Sequence, residues 1–134
     1  MKKTLSFLLV ICMMILSLGT GVVAAGSGTS EADPILIGTA DELKALAAEI
    51  SADGNGGAGK FYQLTADIDF GGAVWSSYIG TKDKPFKGTF DGNGKVIKNF
   101  TVNIPAETAS GIFGIISGNA YIHSVGVENV VANY

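Results

Sequence analysis

The stretch that decides the fold reads FKGTFDGNGKVIKNFTV over residues 86–102, and a partial echo, GIFGIISGNAYIHSVGV, follows over residues 111–127. A Gly-Asn pair precedes the apolar run of each stretch, with a slip of one residue. The matching apolar residues, shifted by 25 positions, are Ile97, Phe100 and Val102 in the first stretch and Ile122, Val125 and Val127 in the second. A fixed period in the twenties, with glycine turns between short β-rich runs, is typical of solenoid proteins. We therefore expect these six residues to line a common interior, stacked strand on strand.

Turn and bend signals lie within the first stretch. Asp-Gly-Asn-Gly over residues 91–94 separates Phe90 from Val96 and Ile97, which predicts a tight β-turn. The spacing Ile-x-x-Phe/Val-x-Val is neither strict alternation nor helical. It suits a strand that bends once, as solenoid strands do at their corners.

The first 25 residues have the features of a secretory signal peptide. Lys2 and Lys3 precede an apolar run over residues 5–18, and Val-Ala-Ala at residues 23–25 offers a cleavage site. A retained membrane anchor is the alternative, but glycine and threonine dilute the apolar run before residue 22 and no basic stop-transfer cluster follows. We interpret Cys12 as part of the apolar run rather than as a lipidation site. The sequence therefore predicts export with cleavage after Ala25.

The composition of the remaining chain excludes several classes of function. After residue 25 the chain has no cysteine, methionine or arginine, which excludes a disulfide framework and thiol chemistry. Seven lysines stand against twelve acidic residues, a net charge of −5. Because no basic stripe is available for a phosphate backbone, we do not expect nucleic-acid binding. A small, glycine-rich domain of this size can bury only a modest core.

We divide the exported chain into three parts. Residues 26–33 are small and polar and predict a flexible lead-in. Residues 34–85 form an N-terminal cap region, and residues 86–134 form the solenoid repeats. The last residues end without a capping element, which would leave an open strand edge. Since repeat arrays need about three units, we expect the chain to be the front of a longer protein, and alone to self-associate through that edge.

The cap region combines strands with a helix. It opens with a short strand, and a helix follows over residues 40–51, for which Thr39 and Glu42 fit a capping box. Apolar residues then alternate with polar ones over residues 62–70, which predicts a strand with one buried face.

The sequence GIFG at residues 111–114 resembles the GLUG motif, a short repeat of bacterial exported and surface proteins. Upstream, YQLTADID over residues 62–69 and FKGTFDGNG over residues 86–94 resemble the module that commonly precedes GLUG repeats. A similar arrangement is found in N-terminal regions of immunoglobulin A1-cleaving metallopeptidases and in cell-wall proteins. The resemblance covers residues 34–129 and implies a mostly β fold, a right-handed parallel β-helix with the helix over residues 40–51 as part of an N-terminal cap.

The resemblance carries over no catalytic, cofactor-binding or metal-binding residue, because the motif positions are structural. It implies a bacterial protein that is secreted or held at the cell surface. The departure from the family lies in extent, since relatives string together several repeats and this chain has about one and a half.

The carboxylates Asp67, Asp69 and Asp91 invite comparison with polysaccharide-cleaving β-helices. A glycosidase needs two carboxyl groups that face each other across the bond, whereas Asp67 and Asp69 are expected on one outer strand face. A lyase would also need a strong base or a cation such as arginine. We therefore predict that the chain is not an enzyme.

Two Asp-Gly-Asn-Gly runs, at residues 53–56 and 91–94, resemble the start of a calcium loop. The sixth and twelfth positions of an EF-hand loop require Gly and Glu. Those positions here are Ala58 and Leu64 in the first run, and Val96 and Val102 in the second. Turn formation explains both runs better, although weak calcium contact stays open.

His123 matches Lys98 in the repeat alignment, so we expect its side chain in solvent. With no cysteine and no second histidine, it can assemble neither a zinc site nor a catalytic triad. Asn99-Phe100-Thr101 is formally a glycosylation acceptor, but we interpret it as a turn.

Two classes of function follow. The first is a non-enzymatic exported module for cell-surface adhesion, architecture or display of a distal domain, with an unknown extracellular protein or glycan as partner and no cofactor. The alternative is an extracellular glycan-binding or glycan-cleaving β-helix, which a row of exposed aromatic residues would favour. Trp75 and Tyr78 are neighbouring candidates for such a row, but we expect both to plug the core.

Overall fold

The structure is a computed structural model that describes residues 26–103 and 111–133. The predicted signal peptide, residues 1–25, and the final residue lie outside the described residues. The elements in chain order are β1 (Ile35–Ile37), α1 (Ala40–Ala52), β2 (Phe61–Leu64), β3 (Ile68–Asp69), β4 (Val74–Trp75), β5 (Thr89–Asp91), β6 (Val96–Asn103), β7 (Tyr121–His123) and β8 (Gly126–Asn133).

The chain is mostly β, and its strands form two parallel sheets. The first sheet has the order β1-β2-β5-β7. In the second sheet β3 and β4 pair with different halves of β6, and β8 also pairs with β6. Each chain passage places one strand in the first sheet and the next strand in the second. The prediction of a mostly β, parallel architecture is confirmed.

The helix and its cap agree with the sequence prediction. Thr39 Oγ1 accepts a hydrogen bond from the Glu42 amide (3.2 Å), and Glu42 Oε2 accepts one from the Thr39 amide (3.1 Å). This reciprocal pair satisfies two amides that the first helical turn leaves without partners. The buried face of α1 consists of Leu43, Leu46, Ala47 and Ile50. Because α1 directly follows β1, this face joins the core at the β1 edge of the first sheet.

The strand predicted over residues 62–70 is two strands in different sheets. The apolar alternation is present, since Tyr62, Leu64 and Ile68 are all buried. Between β2 and β3 the chain turns a corner, at which Ala66 is exposed. Asp67 Oδ1 accepts a hydrogen bond from the Val96 amide (3.0 Å), so the corner is tied by a side chain rather than by a sheet ladder.

The predicted bend within the first repeat stretch is confirmed. Ile97, Phe100 and Val102 are buried, and Asn99 between them has a φ of 58°. This left-handed backbone lets two residues be skipped on the buried side, and asparagine tolerates it better than most residues. The tight turn before β6 is also present, because the Lys95 amide donates to the Gly92 carbonyl (2.8 Å).

The predicted stacking of Ile97 on Ile122 is wrong. Ile97 pairs with Ile68 and Val127 in the second sheet, whereas Ile122 pairs with Phe90 in the first. The register offsets between neighbouring strands are 27 to 32 residues rather than 25. The cause is the length of the corner, which takes seven residues from Phe90 to Ile97 but five from Ile122 to Val127. A fixed shift therefore aligns residues that occupy different places in the fold.

The final strand leaves the interior open on one side. Val127 and Val130 continue the buried rows of Ile97 and Phe100, but they are 51% and 42% exposed. Within the described residues, β8 pairs with β6 alone and β7 with β5 alone. Self-association through this edge and the division of the chain at residue 85 stay predictions.

Within residues 26–103 and 111–133, no helix has the length and apolar character needed to cross a membrane.

Candidate functional site

Two rows of side chains stand on the outer surface of the first sheet. Side chains alternate between the faces of a strand, and the buried row contains Tyr62, Phe90 and Ile122 from β2, β5 and β7. Their neighbours along each strand point to the opposite face. The first outer row is Phe61, Thr89 and Tyr121, and the second is Gln63, Asp91 and His123.

These rows enclose a surface depression of about 300 Å³, which we call the outer groove. Its lining residues are Glu31, Pro34, Phe61, Tyr62, Gln63, Thr89, Asp91, Tyr121 and His123. The central strand carries the shorter side chains, Thr89 and Asp91, so it forms the floor. Phe61 and Gln63 from β2 stand on one side, and β7 supplies the other side. Since neighbouring strands lie about 4.8 Å apart, the two walls are separated by about 9.6 Å at the backbone.

Asp91 is held in a fixed orientation on the floor of the outer groove. Gln63 Nε2 donates to Asp91 Oδ2 (3.0 Å), and the Asn93 amide donates to Asp91 Oδ1 (2.7 Å). Burial alone would raise the pKa of Asp91, but these two hydrogen bonds and the nearby His123 outweigh it and lower that pKa. The side chain is therefore a carboxylate at neutral pH.

Tyr121 and His123 form an aromatic wall. Their rings are stacked with centroids 4.5 Å apart and an interplanar angle of 26°. His123 Nδ1 lies 3.0 Å from Ser124 Oγ and 3.6 Å from Asp91 Oδ1. The prediction that His123 matches Lys98 is wrong, because its register partner is Asp91. Its side chain is 31% exposed and belongs to the groove rather than to open solvent.

The other carboxylates that the sequence singled out do not meet in a catalytic pair. Asp67 lies at a corner and not on a strand face, so its predicted place beside Asp69 on an outer strand face is wrong. Asp69 Oδ1 accepts hydrogen bonds from the Gly71 amide (2.8 Å) and from Asn99 Nδ2 (2.9 Å). The Asn99 bond is the main cause that lowers the pKa of Asp69. These carboxylates fasten turns.

Both Asp-Gly-Asn-Gly runs are turns, as the sequence predicted. In each, the aspartate Oδ1 accepts a hydrogen bond from the amide two residues later: Asp53 from Asn55 (3.0 Å) and Asp91 from Asn93 (2.7 Å). Aspartate favours turns because its carboxylate can bond the backbone in this way. Within the described ranges, no group of three or more acidic, histidine or cysteine side chains is arranged to hold a metal ion.

A ladder of side-chain amides runs along the bend of the second sheet. Asn129 Nδ2 donates to Asn99 Oδ1 (3.1 Å), and Asn99 Nδ2 donates to Asp69 Oδ1 (2.9 Å). Asn99 and Asn129 both have positive φ values, 58° and 50°. The ladder links three successive chain passages at the same corner. The residues 99–101 that formally match a glycosylation acceptor are thus part of a bend.

The aromatic and GIFG residues lie in the core rather than in the groove. Trp75 is 1% exposed and its Nε1 donates to the Gly111 carbonyl (3.0 Å), which confirms its predicted role as a core plug. Tyr78 packs against the core, and its hydroxyl donates to the Asn103 carbonyl (3.3 Å). Ile112 is buried, and the Phe113 ring meets the buried ring of Phe90 edge-on with centroids 5.0 Å apart.

Tyr62 reaches from the first sheet into the core. Its hydroxyl is buried and has no hydrogen-bond partner among the described residues. Burial raises the pKa of Tyr62, and Glu49 and Asp53 raise it further. The hydroxyl therefore stays protonated.

Sequence reasoning missed Phe61, Gln63 and Tyr121 as site residues. Each of these residues lies on a short strand, and nothing in the local sequence distinguishes it. The signal that could have found them is the alternation around Tyr62, once the register of β2 with β5 and β7 is known.

The chain has one similarity to a curated protein to report. It is 29% identical over 111 residues to halomucin from Haloquadratum walsbyi. The aligned part is 80% of this chain but 1% of halomucin, so the chain spans about one hundredth of the length of the relative that it matches. No protein-family model matches the chain, and no solved structure matches it.

Proposed function

We propose that the chain is a non-enzymatic, exported β-solenoid module that serves cell-surface adhesion, architecture or display of a distal domain. The observation that carries the proposal is the uninterrupted parallel ladder, in which three chain passages place side chains in rows on the outer surface. A stack of this kind builds a stiff surface that can grow by adding passages.

The proposed solenoid is a right-handed parallel β-helix with α1 at its N-terminal end. The alternation of strands between two parallel sheets, at offsets of 27 to 32 residues, supports a coil of repeated turns. Right-handed crossover between parallel strands is the strong preference of L-amino-acid chains. The GLUG resemblance supports the same architecture.

The non-enzymatic part of the proposal rests on what the carboxylates do. Asp67, Asp69 and Asp91 each accept at least one backbone amide hydrogen bond, and together they fasten three places where the chain turns. A general acid needs a pKa raised toward the working pH, whereas the pKa values of Asp69 and Asp91 are lowered.

A place outside the cell is supported by two independent observations. The first is the signal-peptide pattern of residues 1–25. The second is the similarity to halomucin, whose name assigns it to the mucins. GLUG-type surface proteins give the same expectation.

The experiment that tests the proposal is protease accessibility on intact cells that express the full-length gene. We expect an N-terminus at Gly26 by mass spectrometry and digestion of the protein by added protease while a cytoplasmic marker survives. Deletion of the gene should reduce attachment of cells to a surface or to each other. A protein that stays protected inside the cell, or that retains residues 1–25 in the membrane, would contradict the proposal.

A further inference from the structure

We propose that the outer groove binds a neutral saccharide. The inference deepens the proposed function by naming a partner class, and it rests on that function only in placing the ligand outside the cell.

The first argument is the shape and size of the groove. Its volume of about 300 Å³ lies at the lower end of the range for small-molecule sites. The two walls stand two strand spacings apart, with the short side chain of Thr89 between the rings of Phe61 and Tyr121. This space admits one or two sugar rings and excludes a folded protein surface.

The second argument is the mixture of apolar and polar surface. Phe61 on one side and the stacked pair Tyr121 and His123 on the other supply flat aromatic surface. Aromatic side chains contribute a large apolar contact area, and tyrosine adds a hydroxyl that can donate or accept. A pyranose ring combines an apolar face with a rim of hydroxyl groups, so it matches both kinds of surface.

The third argument is the balance of donors and acceptors. Asp91 Oδ2 has accepted one hydrogen bond, from Gln63, and a carboxylate oxygen can accept a second. The carbonyl oxygen of Gln63 is a further acceptor beside it. Groups that donate hydrogen bonds without carrying charge, such as sugar hydroxyls, fit these acceptors.

The fourth argument is charge. Glu31 and Asp91 both line the groove, so uronic acids and sulfated sugars would be repelled. The negative charge of Asp91 is already met by the Gln63 side chain, the Asn93 amide and the nearby His123. A ligand cation would therefore gain less from Asp91 than from an unpaired carboxylate. Together these features favour a neutral saccharide.

The test is titration of purified protein, followed by ¹⁵N NMR, with neutral trisaccharides built from glucose, galactose, mannose and N-acetylglucosamine. A trigalacturonate and a lysine tripeptide serve as probes of opposite charge. For a groove of this size we expect dissociation constants of about 0.1–10 mM. Binding of at least one neutral probe should shift the side-chain amide signal of Gln63.

Variants locate the site. Tyr121→Ala and Asp91→Asn should each weaken binding at least tenfold, and Asp91→Asn keeps an acceptor for the Asn93 amide that holds the turn. Val131→Ala, an exposed apolar change on β8 outside the groove, is the matched control and should leave binding unchanged. If Tyr121→Ala does not fold, Tyr121→Leu keeps apolar bulk but removes the ring, and it should weaken binding likewise.

Four outcomes would overturn the inference: no shift with any neutral probe, preference for the trigalacturonate, preference for the lysine peptide, or binding that survives the Tyr121 and Asp91 variants. None of these outcomes touches the location of the protein on cells. Failure of the saccharide site is thus distinguishable from failure of the proposed function.

Discussion

Phe100 tests whether the interior beneath the second sheet is enclosed. Its side chain is 2% exposed, and its ring centroid lies 5.7 Å from that of Phe70. Replacing a buried phenylalanine by alanine removes the apolar contact and leaves a cavity, at a cost of about 3–5 kcal/mol. For a domain of this size, each kcal/mol lowers Tm by about 4–8 °C. Phe100→Ala should therefore lower Tm by at least about 12 °C.

Val130 provides the matched control, because it is the register partner of Phe100 on the next strand. It occupies the same row but is 42% exposed. Removing its two methyl groups should cost less than about 1 kcal/mol, since much of that surface is already in water. Urea unfolding followed by circular dichroism measures both costs, with equal m-values required for the comparison.

A Phe100→Ala cost no larger than that of Val130→Ala would contradict the described core. If Phe100→Ala does not fold, Phe100→Leu should retain part of the contact and fall between the wild-type protein and complete loss. A Phe100→Leu variant as stable as the wild-type protein would contradict the enclosure as well.

Three further predictions concern backbone and buried polar groups, each measured by thermal melting. Asn99→Ala should be less stable than Asn99→Gly by about 1 kcal/mol, because only glycine accepts the positive φ without strain; equal losses would contradict this. The pKa of Asp69 is lowered from 3.8, so the stabilisation from its carboxylate is complete above about pH 4 and is lost as the pH falls through the folded-state pKa. Asp69→Asn should therefore flatten the acid side of the stability profile, and an unchanged profile would refute the linkage. Tyr62→Phe should be neutral or stabilising by up to about 1 kcal/mol, because its hydroxyl is buried without a partner, and a clear loss of stability would reveal a hydrogen bond.

Features encoded over a few residues could be predicted from the sequence. The capping box of α1 depends on Thr39 and Glu42, three positions apart, and both of its hydrogen bonds are present. The aspartate turns at Asp53 and Asp91 likewise depend on an amide two residues away. The bend at Asn99 was visible as a break in the apolar alternation. In each case the physical cause lies within one turn of chain.

The strand register could not be predicted, because it depends on how many residues each corner consumes. The corner between β5 and β6 and the one between β7 and β8 differ by two residues. An offset of two preserves which face a side chain points to, so the apolar pattern alone does not reveal the error. The shift of 25 therefore matched Ile97 with Ile122, although the chain places them in different sheets. The outer groove was missed for the same reason, since its two walls are joined only through the register.

The separation of buried and outer rows has a consequence for where function can reside in this chain. Tyr62, Phe90 and Ile122 fix the first sheet from within, and changes among them alter stability. The outer rows carry little of that burden, because Tyr121 is 58% exposed. Gln63, Asp91 and His123 can therefore change without loss of the ladder, apart from the turn that Asp91 fastens. A module of this kind can keep one architecture while different side chains in the outer rows select different ligands, which is why the groove rather than the core determines specificity.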